Sequence, residues 1–300
     1  MILMTLPLIV LFVVSLTGYL GSELIKGSYS KQYIKNSIDS YKYTALVSGI
    51  CAVAIVLLSG FTFPFSWFSV GLGLLFGIAV TGLICVSSMA IKNGPFSYTL
   101  VMISLAIIVP AFSGAIFWGE TLTWLDFVGL AFMIFCFVLS VQKQTGEQKG
   151  NGKWLFLSIV AMIFMAGVGL LQKTHQSSVH KDEITVFLTT AFTFSCLCST
   201  VIYLILKGLN KQQQNVEKVF GTTKSVLLQL VAAGIATSLN HTINLYLSGS
   251  LDSILFFPVM CGCELIGITL VSLLFFKERL TKRQWIGIAC GAIAVLMLCI

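Results

Sequence analysis

The sequence has few charged residues. Asp, Glu, Lys and Arg make up 10% of its 300 residues, whereas soluble proteins carry about 25%. Hydrophobic residues reach 57%, mean hydropathy is +0.97, and no charge occurs between Lys42 and Lys92. Such a composition excludes a soluble globular protein, because it cannot build a water-facing surface. Since a bilayer core needs roughly 20 apolar residues per helix, the sequence predicts a polytopic membrane protein with the lipid bilayer as a partner.

Motifs for enzymatic chemistry are also missing. The sequence has no Walker Gly-x-x-x-x-Gly-Lys-Ser/Thr motif, no His-Glu-x-x-His motif and no paired carboxylates in an apolar run. All nine cysteines lie in apolar runs, and Cys261 and Cys263 lack metal-site spacing. We therefore expect no enzyme, no metal and no cofactor. The net charge of +7 comes from lysines between the runs, which membrane topology explains without nucleic acid.

Apolar runs divide the chain into ten segments that could each cross a bilayer. Helices are expected, because backbone amides must be paired inside lipid and the runs lack the alternation of barrel strands. The first segment lacks a basic n-region, so we expect it to be a retained span rather than a signal peptide. The predicted spans are Ile2–Leu20, Tyr43–Gly60, Phe68–Ile91, Phe96–Trp118, Trp124–Gln142, Trp154–Gln172, Glu183–Leu206, Ser225–Leu247, Ser253–Phe276 and Gln284–Ile300.

A similar short turn follows the fourth segment and the ninth segment. Residues Phe117–Gly129 and Phe275–Gly287 share Phe, Glu, Leu, Thr and Gly at an offset of 158 residues. In each copy a threonine followed by a polar residue three positions on predicts a capping box. The glutamate just before it is favoured by the dipole of the following helix. The predicted turn and capping residues are Glu120, Thr123, Glu278, Thr281 and Gln284.

The repeat divides the chain into two halves. Residues 1–142 form the first five-helix repeat, 143–153 a polar linker and 154–300 the second five-helix repeat. An odd number of spans in each half forces the two copies into opposite orientations. The sequence thus predicts an all-α polytopic membrane protein with ten transmembrane helices in two inverted repeats, a common arrangement of secondary transporters.

The Glu-x-Leu-Thr turn at Glu120 and Glu278, together with the span count and the duplication, resembles the EamA-type domain of the drug/metabolite transporter superfamily. The resemblance covers nearly the whole chain as two copies. It implies a ten-helix carrier with a central cavity that moves small metabolites, such as amino acids, often outward. The second half departs from the family pattern, because it lacks a counterpart of Pro95 where the first half has Asn-Gly-Pro.

Membrane orientation has two opposing indications. All Lys and Arg except Lys173 and Lys181 lie in or beside the odd-numbered loops. Basic residues favour the cytoplasm, so this pattern predicts cytoplasmic odd loops and both termini outside. The family resemblance instead implies cytoplasmic termini. Compact loops and the lack of eukaryotic targeting signals favour a bacterial plasma membrane.

Polar residues inside the spans are the candidate site, because ionisable groups in lipid usually face a cavity or a partner. Glu264 lies midway along span 9, among apolar residues. It would bind substrate or a coupling proton, or serve as a hydrogen-bonded packing residue. In span 8, Asn240 and Asn244 share one helical face next to His241, which could pair with Glu264, relay protons or join helices. Weaker candidates are Tyr98, Ser88 and Gln172.

These observations favour a secondary transporter for a small, amino-acid-like metabolite, acting as a proton-coupled exporter. An uptake permease for a sugar-like or nucleoside-like solute and a non-transporting helper subunit stay open, as does a homodimer. A membrane enzyme is disfavoured, because one buried Glu and one His offer too few acid–base groups.

Overall fold

The computed structural model describes residues 6–60, 64–94, 96–140, 152–209, 224–275 and 282–298. Within these ranges the regular structure is helical and contains no strand. The helices are α1 (Leu6–Tyr33), α2 (Ser37–Leu58), α3 (Trp67–Asn93), α4 (Phe96–Ser104), α5 (Ile108–Phe117), α6 (Trp124–Ser140), α7 (Gly152–Gln176), α8 (Ile184–Leu209), α9 (Lys224–Ser250), α10 (Ser253–Phe275) and α11 (Lys282–Leu298). A turn of 3-10 helix, Leu105–Ile107, joins α4 to α5.

The described chain has the character of an all-α, multi-pass membrane protein. Seven of its helices (α1, α2, α3, α7, α8, α9 and α10) are long and apolar enough to cross a bilayer, and shorter apolar helices lie at Met102–Phe117 and Trp124–Phe135. Large hydrophobic side chains also face outward: Phe117 is 71% exposed and Leu274 is 74% exposed. Such a surface fits lipid better than water.

The helices pack in a regular set of pairs. In the first part of the bundle α2 packs on α8, α3 on both α7 and α8, and α1 on α9. In the other part α6 packs on α11 and α5 on α10. Aromatic rings fill the core between α2, α3, α7 and α8, where Phe76, Phe187 and Phe192 are fully buried. The polar site lies between these two parts.

Two glycines of α3 allow it to approach α8 closely. A Cβ at Gly73 would lie 2.7 Å from the Phe187 carbonyl oxygen, and one at Gly77 would lie 2.5 Å from the Ala191 carbonyl oxygen. Any larger residue would push the helices apart. Gly71, in contrast, has open space around it, so it makes no such contact.

Several predicted boundaries were wrong. The first span was predicted to end at Leu20, but α1 continues to Tyr33. The fourth span is interrupted by the 3-10 turn. Of the predicted linker, 143–151 lie outside the described residues and Gly152 already begins α7. Charged residues such as Lys26 predict a loop after the first span, but they lie on the continuous helix α1.

Candidate functional site

The amide side chains of α9 join three helices. Ser15 of α1 donates to Asn244 Oδ1 at 2.8 Å, and Asn240 Nδ2 donates to the Ser15 carbonyl oxygen at 3.1 Å. Gln172 of α7 donates through Nε2 to the Asn244 carbonyl oxygen at 2.8 Å. A Cβ at Gly18 would lie 3.1 Å from the Ala236 carbonyl oxygen, so α1 and α9 are close here. Asn240 and Asn244 therefore connect helices, as the packing interpretation of these residues predicts.

Glu264 lies on α10, about 16 Å along the helix from its first residue, Ser253, at 1.5 Å per residue. It is only 5% exposed. Within the described residues its carboxylate has no hydrogen-bond or ion-pair partner, although Tyr19 and Glu23 are close enough to interact with it electrostatically. A buried carboxylate without a partner is costly, so its position calls for a ligand, a proton or a cation.

Two cavities meet at Glu264. The smaller encloses an empty volume of about 480 Å³ and is mostly apolar, with Phe256, Phe257 and Met260 in its wall. The larger encloses about 770 Å³ and has a polar wall. Both are lined by Met165, Val168, Gln172, Asn244 and Glu264.

Sequence reasoning missed two charged residues of the larger cavity, Glu23 and Lys26. Both lie on the part of α1 that continues beyond Leu20, and both are about nine-tenths buried. They are three positions apart, and Lys26 Nζ donates to Glu23 Oε1. The opposite oxygen, Glu23 Oε2, is buried without a hydrogen-bond partner. The i, i+3 spacing of opposite charges next to an apolar helix was the signal that could have revealed them.

His241 lies in the wall of the larger cavity and contacts aromatic rings. Its imidazole packs edge-to-face with the rings of Phe76 and Phe192, with centroids 5.9 and 5.2 Å apart. No hydrogen bond joins it to Glu264 in the part of the chain that is described. The direct pairing left open by the sequence is therefore absent, because the phenyl rings hold the imidazole.

The weaker candidates have different outcomes. Gln172 lines both cavities. Ser88 does not belong to either lining, and its hydroxyl donates to the carbonyl of Ile84 on its own helix. The side chains of Tyr98 and Gln284 lie outside the described residues, as do Glu278 and Thr281 altogether.

The apolar cavity is bordered by the interruption between α4 and α5. Pro110 has no N–H to donate to Ala106, four residues earlier, and the 3-10 turn falls at this position. Both residues line the cavity, and Pro110 packs against Gly169 of α7. A mid-helix 3-10 segment often marks a hinge.

Glu120 closes one end of the bundle. Its carboxylate accepts bonds from the Ser253 N–H at 2.8 Å and the Ser253 hydroxyl at 3.0 Å. It also pairs with Lys173 at 2.8 Å, with both side chains about nine-tenths buried. Lys173 in turn donates to the carbonyl oxygens of Ser248 and Leu251. The pair therefore places an anion at the start of α10 and a cation at the end of α9, as the helix dipoles favour.

Glu120 is predicted as a turn and capping residue next to α6, the helix that follows it. Among the described residues, the hydrogen bonds to its carboxylate come from Ser253, so the helix that it caps is α10. The turn that places it uses Gly119, whose φ of +68° is left-handed, and a Cβ at Gly114 would overlap the carboxylate. Thr123 and Asp126 do form the reciprocal bonds of a capping box, with Thr123 N–H 2.7 Å from Asp126 Oδ2 and Asp126 N–H 3.4 Å from Thr123 Oγ1.

A second polar cluster lies at the same end, where α7 ends and α3 and α8 begin. Glu183 accepts a bond from Ser66 and pairs with His180 Nδ1 at 2.9 Å. Burial would raise the pKa of Glu183, but the hydrogen bonds from Ser66, Ser69 and His180 lower it from 4.5 to about 2. Ser69 also bonds His175 Nε2 at 3.1 Å. We refer to the end formed by both clusters as the closed end.

Comparisons with known proteins support the fold and identify no family. No family model matches the chain, and no curated protein matches it. One solved crystal structure, described only as that of a protein, aligns with a TM-score of 0.68 and 14% identity, over 96% of each chain. At this identity the likeness shows a shared fold and carries no information about activity.

Proposed function

We propose that the chain is a secondary transporter that moves a small solute through the two joined cavities by alternating access. Its ten spans would be α1, α2, α3, α4 with α5, and α6 in the first half, followed by α7 to α11. The two halves would be inverted repeats of the EamA type, as the recurrent turn predicts. The membrane would be the plasma membrane of a bacterium.

The pattern of helix pairs supports the inverted repeats. If α1–α6 correspond in order to α7–α11, with α4 and α5 counted as one span, each contact has a counterpart. The packing of α3 on α7 matches that of α9 on α1, and α3 on α8 matches α9 on α2. The pairs α2 with α8, α6 with α11 and α5 with α10 join corresponding helices. A pseudo-two-fold axis generates such a pattern.

The observation that carries the proposal is a buried carboxylate that has no partner among the described residues and lines two cavities. Glu264 lines both cavities, whereas Glu120 and Lys173 bind the helix ends above them. A carrier needs a site that is open to one side at a time. Glu264 is then the candidate for binding solute or a coupling proton, as intramembrane acids do in pumps and transporters.

The energy would come from an ion gradient or from the gradient of the solute itself. The amino-acid-like solute and the export direction expected from the sequence belong to this proposal, with uptake as the opposite direction. The small solute and the lipid would be its partners.

The test compares metabolites inside and outside cells that express the wild type or Glu264→Gln at equal membrane levels. We expect the wild type to shift one class of compound and Glu264→Gln to abolish the shift, since the amide cannot carry a charge. The direction of the shift distinguishes export from uptake. Asp182→Asn is the matched control, because this exposed acid lies outside both cavities.

If both proteins shift the same compound equally, transport stands and Glu264 has no role in it. If the wild type shifts nothing across broad growth conditions, the transporter proposal is wrong and a helper subunit becomes the better explanation.

A further inference from the structure

The larger cavity contains two carboxylates whose oxygens are not all paired. Glu264 has no partner among the described residues, and Glu23 Oε2 is buried without one. In the same part of the chain, Lys26 Nζ donates to the other oxygen of Glu23, Oε1. Two carboxylates on different helices, α1 and α10, therefore share one cavity with a single lysine.

The remaining ionisable groups of the wall do not supply the missing positive charge. Tyr19 and Tyr43 are phenols, and His241 packs edge-to-face against the rings of Phe76 and Phe192. When both carboxylates are ionised, they outnumber the one lysine of the lining. Burial of an uncompensated charge is strongly unfavourable, so this cavity favours the uptake of a proton or of another cation.

The smaller cavity offers the opposite chemistry. Beyond Glu264, Gln172 and Asn244, its wall is formed by Phe256, Phe257 and Met260 of α10 together with Pro110. Apolar and aromatic walls of this kind take up an apolar body. Because Glu264 lines both cavities, a ligand bound beside it could place a charged head among the acids and its body against the rings.

We propose that the site binds a small organic monocation, an ammonium ion with an apolar body, whose head lies between Glu264 and Glu23. The inference rests on the proposed transport function for the movement of the ligand, and it names a cationic solute in place of the amino-acid-like one. Aromatic rings near the head would add cation–π attraction.

The test uses the purified full chain in detergent and four probes with the same phenyl body. These are phenethylamine (cation), phenethyl alcohol (neutral), phenylpropionate (anion) and phenylalanine (zwitterion), each titrated at pH 7 by calorimetry. We expect the amine to bind at least about tenfold more tightly than the alcohol, and the anion to bind weakest. Glu264→Gln should abolish this preference and Glu23→Gln should reduce it, while Asp182→Asn leaves it unchanged.

The unliganded melting temperature of each variant shows whether it is folded, and the four-probe comparison on the wild type needs no variant at all. Three results would overturn the proposal. They are equal binding of amine and alcohol, a preference for phenylalanine or phenylpropionate, and no binding of any probe by folded protein.

Fluxes of the same probes into proteoliposomes separate the two proposals. If the amine binds selectively but never crosses, the cation site stands and the transport function fails. If phenylalanine or phenylpropionate crosses and the amine neither binds nor crosses, transport stands and the cation site is refuted.

Discussion

Glu120 and Glu264 are both buried glutamates, yet their surroundings are opposite. Glu120 has an ion pair with Lys173 and two hydrogen bonds from Ser253. Glu264 has no such partner in the described residues and lines two cavities. One carboxylate thus has its partners supplied by the protein, and the other is left with empty space beside it.

The difference separates a structural acid from a functional one. A carboxylate that is satisfied by three groups from α7 and α10 holds those helices together and has little capacity for a ligand. A buried carboxylate without partners in the described residues is instead a candidate for binding a ligand or a proton. Exposure alone would not distinguish them, because both are almost inaccessible.

The largest expected effect comes from removing the partner of Glu120. Lys173→Met should lower the free energy of unfolding by about 3–5 kcal/mol, because it leaves a buried carboxylate without its cation. Thermal unfolding in detergent measures this loss. Glu120→Gln added to Lys173→Met should recover most of it, since no buried charge then remains. If the double variant is no more stable than Lys173→Met, the ion pair is not what fixes the closed end.

The reverse is expected at the other glutamate. Glu264→Gln should unfold at the same temperature as the wild type or a higher one, because it removes a buried charge that has no partner. The same thermal scan checks this result, with Glu120→Gln as the comparison. A melting temperature of Glu264→Gln as low as that of Lys173→Met would contradict the contrast between the two residues.

The neutral contacts of α1 and α9 should have a smaller effect. Asn240→Ala removes the bonds to Ser15 and should cost about 1 kcal/mol, the usual size for hydrogen bonds between membrane helices. Thermal unfolding again provides the measurement, and Ser15→Ala should have a similar, non-additive cost. Two fully additive losses would indicate that these side chains act separately.

The smallest effect concerns Glu183, which lies in a loop at the closed end. Its pKa is lowered from 4.5 to about 2 in the folded chain, so its stabilising contribution is present above about pH 4.5 and disappears as pH falls through 2. The difference in melting temperature between wild type and Glu183→Gln should therefore be constant from pH 8 to about 5 and shrink in stronger acid. A difference that already shrinks between pH 8 and 6 would contradict the lowered pKa of Glu183.

Sequence reasoning located local features well. Hydrophobic runs identified a helix in every predicted segment, and the threonine with an acid three residues later identified the capping box at Thr123. Glu264 was recognisable because a lone acid in an apolar run is rare. These signals depend only on neighbours in the chain.

Long-range partners could not be predicted in this way. Glu120 binds Ser253, 133 positions away, and nothing near either residue indicates that contact. Glu23 and Lys26 were misassigned because charge is the usual sign of a loop, whereas here the two charges neutralise each other on a helix that continues to Tyr33. Cavities arise from the arrangement of whole helices, which no local pattern specifies.

The glycine contacts between α3 and α8 have a mechanical consequence. With the Gly73 and Gly77 positions of α3 against the carbonyls of α8, sliding one helix along the other would bring larger residues into collision, so we expect the pair to move as one stiff body. Because α3 precedes residue 143 and α8 follows residue 153, this body would cross the boundary between the two proposed repeats. A rocking motion would then need a joint elsewhere, and the 3-10 turn before Pro110 is placed where such a joint would open or narrow the space beside Glu264.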